Sequence, residues 1–111
     1  MILYPGLHRI QSLTCTPDEA RSFLRDFLEE HPDRVDYLAQ TFRGLSMKLI
    51  RDTDVTEKAL HDWFRVIRAV EARVRENHPL LAKKLEMLTD LLHDRWLIWM
   101  RERRVVQESA G

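Results

Sequence analysis

Five histidines, eighteen carboxylates and one cysteine are the first places to look for chemistry in this 111-residue chain. Asp90 and His93 stand three apart and Glu57 and His61 four apart, so on a helix each pair shares a face. A carboxylate beside an imidazole can bind a metal ion or move a proton. A carboxylate-bridged metal bundle, however, takes a Glu-x-x-His from each of two helices and two further inward Glu residues. This chain has one Asp-x-x-His and no second copy, while His31 and His78 each stand directly before a proline and act as punctuation. Surface or capping contacts account for the pairs, and no metal is expected.

Cys15 is the sole cysteine, which excludes an internal disulfide framework and a Cys-rich zinc site. It borders a helix start, where the dipole can lower a thiol pKa, but it lies before the first turn. The serines at 12, 22, 46 and 109 have no nucleophile elbow, and no glycine-rich phosphate loop is present. No catalytic residue, cofactor or enzymatic activity is expected.

Two groups of cations invite a phosphate reading. Arg95, Arg101, Arg103 and Arg104 face only Glu102 after Asp94, a cluster that can grip phosphates or simply complement the C-terminal end of a helix dipole. Lys58, His61, Arg65, Arg68 and Arg75 roughly follow one helix face behind a short turn, the outline of a helix-turn-helix reader. Against this, the turn from Arg51 to Asp54 lacks a glycine, and Asp62, Glu71 and Glu76 dilute the positive face. Over the whole chain 18 basic residues balance 18 acidic ones, so no net field draws nucleic acid or an acidic membrane.

The elements that must position these groups are helical. Three glycines and four prolines leave few turns for a multi-stranded sheet, and 44% hydrophobic residues suffice for a core. One domain over 1–111 is expected, with an N-terminal arm at 1–15 and helices at 16–30, 32–51, 54–77 and 79–106. Thr16-Pro17-Asp18-Glu19 is a capping box with proline at the first helical position. The first helix buries Ala20, Phe23, Leu24, Phe27 and Leu28 and stops before Pro32. The second carries a heptad-like seam of Val35, Leu38, Phe42, Leu45 and Leu49, interrupted by Gly44, which is explained either by a close helix contact or as a tolerated weak spot costing about 1 kcal/mol. Asp54 and Glu57 form a second capping-box candidate, and Leu60, Trp63, Ile67, Val70 and Val74 line the third helix.

The fourth helix is unusual. Leu81, Leu85, Leu88, Leu92, Trp96 and Trp99 make its inward stripe, while Leu80, Met87, Leu91, Leu97, Ile98 and Met100 fall partly outside it. The run Trp96-Leu97-Ile98-Trp99-Met100 is apolar all round and needs cover all round. That cover is either the N-terminal segment (Ile2, Leu3, Tyr4, Leu7, Ile10, Leu13) or another protein surface. No signal peptide is read in MILYPGLHRI and no stretch is long and apolar enough to span a bilayer, so a cytoplasmic protein is expected.

The seam Val35, Leu38, Phe42, Leu45, Leu49 and the long helix ending Arg95-Trp96-Leu97-Ile98-Trp99-Met100-Arg101 resemble the organisation of the small all-helical antiactivators of bacterial quorum sensing. The resemblance implies a partner, a LuxR-type transcriptional activator kept from dimerisation or from DNA. The expectation is therefore an all-α, four-helix antiparallel bundle-like domain with a long C-terminal helix, homodimeric, that binds and inhibits a partner protein without catalysis. Its partner or dimer interface is expected at Leu92, Trp96, Leu97, Trp99, Met100, Val35, Leu38 and Phe42. A small helix-turn-helix DNA-binding regulator and a helical adaptor or secretion chaperone are the alternative readings.

Overall fold

The N-terminal arm contains a helix. In the computed structural model, which describes residues 4–52 and 55–110 (103–110 as helix backbone), Pro5–Gln11 forms α1. It is followed by α2 (Pro17–Glu30), a 3-10 turn (Pro32–Arg34), α3 (Asp36–Arg51), α4 (Glu57–Val74) and α5 (Pro79–Ala110). No strand occurs among the described residues. The helices close into a cycle in which α1 packs on α3, α3 on α5, α5 on α4, α4 on α2, and α2 back on α1. A fifth member thus joins the four expected helices, and its Leu7 and Ile10 are part of the buried core.

Local chemistry explains the boundaries. At α2 the Thr16 hydroxyl accepts from the Glu19 amide at 3.2 Å and the Thr16 amide donates to Glu19 Oε1 at 3.2 Å, the reciprocal box expected from sequence. The start of α4 differs from expectation: Thr56 is the cap, its hydroxyl accepting from the Ala59 amide at 3.1 Å. Asp54, the expected cap, lies outside the described residues. After His31, Pro32 supports one 3-10 turn, so the second expected helix begins only at Asp36. α5 runs beyond residue 106, the expected end, to Ala110. Its 32 residues make a rod of about 48 Å, close to the 54 Å long axis of the molecule.

α1 ends in a Schellman motif. The Leu13 amide donates to the Ile10 carbonyl and the Thr14 amide to the Arg9 carbonyl, with Leu13 left-handed at φ 58°. Glycine is the usual residue there; Leu13 is held in that conformation while its side chain packs on the core. Arg9 then reaches Glu19 at 3.3 Å, tying α1 to the first turn of α2. At the other end Tyr4 packs edge-on against Phe27, with His31 and Tyr37 around it.

The core draws on all five helices, with Ile10, Leu24, Leu38, Phe42, Leu45, Ile67, Leu85 and Leu92 almost wholly enclosed. Truncating any such leucine to alanine costs about 2–5 kcal/mol. Four residues expected at an interface are consequently core. Val35, the residue before α3, and Leu38 and Phe42 on α3 are buried, α3 being covered by both α1 and α5, and Leu92 is buried on α5. The physical reason is α1, which supplies inside the protomer the cover that the seam of α3 needs. None of the described helices is long and apolar enough to cross a membrane.

Candidate functional site between α4 and α5

α4 and α5 form the most extensive helix pair, and a groove of about 470 Å³ opens along it. Its floor is Leu60 and Leu92, both buried. From α4 the positions 61, 64 and 68 supply His61, Phe64 and Arg68 along one flank; from α5 the positions 90, 93 and 96 supply Asp90, His93 and Trp96. Helical spacing alone therefore aligns two rows of aromatic and polar side chains against each other.

The aromatic contacts are dense. The His61 ring meets Trp96 edge-on with centroids 5.1 Å apart, His93 lies 5.8 Å from Trp96, and Phe64 lies 6.4 Å from His93. The Arg68 guanidinium sits 5.2 Å above the Phe64 ring, within cation–π range. Trp96 Nε1 is buried and has no hydrogen-bond partner among the described residues. The result is an apolar slot with aromatic walls and a rim of two imidazoles, one guanidinium and one carboxylate. Such a slot can seat an apolar or aromatic side chain and offer its polar neighbours hydrogen bonds.

The groove gathers His61, His93 and Asp90, three of the residues singled out for chemistry. No group of three or more His, Cys, Asp or Glu among the described residues is arranged to hold a metal ion. At Cys15, which lies before the first turn of α2, burial pushes the thiol pKa up and outweighs the nearby Arg9 cation. Trp96 is half-buried in the α4 groove, and Trp99 is half-buried on the other flank of α5, beside Leu49, Val55 and Arg95. Met100 is half-buried and Leu97 exposed. Leu97 stands one turn beyond His93 on the same flank of α5, next to the residues that line the groove.

The cations of α4 are largely engaged within the protomer. Lys58 donates to Asp62 at 2.9 Å, which holds that carboxyl below its usual pKa, and Arg75 grips the buried Glu71 at 2.6 Å. Arg68 covers Phe64, and Trp63, Val66, Ile67 and Val70 face the core. The C-terminal cluster divides as well, because Arg95 turns into the Trp99 flank while Arg101 is exposed; the side chains of Arg103 and Arg104 lie outside those described. Sequence reasoning missed the groove as a unit. Its signal was present in the matching spacing of His61, Phe64 and Arg68 against Asp90, His93 and Trp96.

Comparison with family models, with curated proteins and with solved structures found no match to this chain.

Proposed function

We propose that this chain is a non-enzymatic regulator that binds a partner protein and competes for a surface the partner needs elsewhere. The observation that supports this reading best is the α4–α5 groove, an open aromatic slot with an apolar floor. Binding energy in protein interfaces concentrates in such desolvated aromatic pockets, while the polar rim fixes orientation. A side chain of the partner enters between Phe64 and Trp96, and Leu97 covers its edge. The partner suggested by the resemblance in helical organisation is a LuxR-type transcriptional activator, held away from its DNA.

The reading that α3 and α4 form a DNA-reading unit finds less support, since Asp62 and Glu71 sit beside Lys58 and Arg75 and dilute the positive face of α4. One titration separates the two. A LuxR-type activator is assembled on labelled operator duplex and the chain is added, with the chain alone on the same duplex at low and high salt as control. Loss of the activator–DNA complex, with no binding by the chain itself, is the expected result. Retention of the duplex by the chain, falling steeply with salt, overturns the proposal in favour of DNA binding. An activator complex that survives a large excess of chain overturns this choice of partner.

A further inference from the structure

The outer face of α5, turned away from the groove's floor and from the core, carries a second apolar feature. Leu80, Met87, Leu91 and Ile98 are 78%, 61%, 53% and 48% exposed. Their steps of seven, four and seven place them within an arc of about 40° on a 3.6-residue helix. That arc lies a third of a turn or more round from the fully buried Leu85, so nothing in the protomer's own packing calls for it. The steps are those of a coiled-coil seam, with Leu80 and Met87 at one heptad position and Leu91 and Ile98 at the other. Between them the same two positions hold Lys84 and Asp94, both exposed.

Read from 80 to 98 the seam runs Leu, Lys, Met, Leu, Asp, Ile. Reversed, it keeps every apolar position and exchanges the two opposite charges. We propose that this face pairs with the same face of a second copy of the chain, the two α5 helices antiparallel about a two-fold axis level with Thr89. In that register Leu80 packs on Ile98 of the second copy, Met87 on Leu91, and Lys84 meets Asp94, each layer occurring twice by symmetry. A parallel pairing in register stacks Lys84 on Lys84 and Asp94 on Asp94, two repulsive layers in place of two attractive ones. The one like-charge approach in the antiparallel pair is Asp90 with Asp90, on the solvated rim near the axis, where repulsion is screened. This pairing leaves Trp96 and the groove's floor free and shares only Asp90 of the groove's rim, so the mass and crosslinking measurements test it separately from the partner proposed above.

The test combines mass and register. Light scattering across a dilution series is expected to give twice the protomer mass, and Leu91→Glu is expected to give a monomer with unchanged helicity. Lys84→Asp should weaken the dimer at least tenfold, and adding Asp94→Lys should restore it. In a Cys15→Ser background, a mixture of Leu80→Cys and Ile98→Cys chains should form a disulfide-linked pair under mild oxidation, while neither variant alone does. A monomer at every concentration overturns the proposal, as does ready self-crosslinking of Leu80→Cys alone. Failure of the charge exchange to restore the Lys84→Asp variant overturns it too.

Discussion

Gln11 Cγ on α1 lies 2.5 Å from the point that a Cβ on Gly44 of α3 would occupy, so α1 rests on α3 where that helix has no side chain. Gly6 makes the complementary contact from α1 itself, because a Cβ there would enter the ring of Phe23 on α2. The two glycines differ in what blocks them. Gln11 is a flexible side chain that can swing aside, whereas Phe23 is stacked against Phe27 with centroids 6.0 Å apart. Gly44→Ala is therefore expected to stay within about 1 kcal/mol of the wild type, its helix-propensity gain offsetting the displaced Gln11. Gly6→Ala should cost about 1–3 kcal/mol as overpacking. Urea unfolding of both variants checks the ranking, and equal losses would contradict it.

Glu19 links two devices, the capping box of α2 and the ion pair to Arg9 of α1. The hydrogen bond from the Thr16 amide, then that from its hydroxyl, hold the carboxyl below its ordinary value of 4.5. Its folded pKa is depressed, so the stability it contributes is full above the ordinary glutamate range and is lost as pH falls through the folded value. The stability difference between the wild type and Glu19→Gln should accordingly be largest near neutrality and shrink below pH 4.5. Thermal melts of the two proteins at several pH values measure it. A difference that grows on acidification would reverse the assignment.

Cys15 should react slowly. Its thiol is half-buried and burial raises its pKa, which leaves less thiolate at neutral pH than a free cysteine has. Alkylation by iodoacetamide is expected to be slower in the folded chain than in the urea-unfolded chain at the same pH. Folded-state reaction at or above the unfolded rate would show that Arg9 and the nearby helix end outweigh burial.

Ser46 is buried on α3 and its hydroxyl has no hydrogen-bond partner among the described residues. A buried, unpaired hydroxyl is a cost without a return. Ser46→Ala is expected to raise stability by about 1 kcal/mol, read as a shift in urea midpoint at unchanged slope.

Legibility from sequence followed the range of the physics. The capping box at Thr16 and the stop at His31-Pro32 were readable because caps and proline act within a few residues. The cap at Thr56 was missed because Asp54, with Glu57 three residues on, matches the same signature two residues early. α1 was unreadable as a helix: it is only seven residues long and is stabilised by its docking onto Gly44 and Phe23, which local propensity does not register. That omission displaced the site. Without α1, the seam Val35, Leu38 and Phe42 looked uncovered and was assigned to an interface, when it is core. The outer stripe of α5 was legible from helical spacing, which separates the exposed Leu80, Met87, Leu91 and Ile98 from the buried Leu81, Leu85 and Leu92.

Engagement of the partner by the groove between α4 and α5 is tested by comparing groove variants in the activator–operator titration. Leu97→Glu and Phe64→Glu place a charge beside the groove and on its wall, with circular dichroism used to check that each retains its helicity. The expected result is that both need at least about tenfold more protein than the wild type to clear the activator from DNA, in keeping with the loss of an interface anchor. Clearance by both variants at wild-type concentrations would contradict the claim and place the working surface elsewhere on the helices.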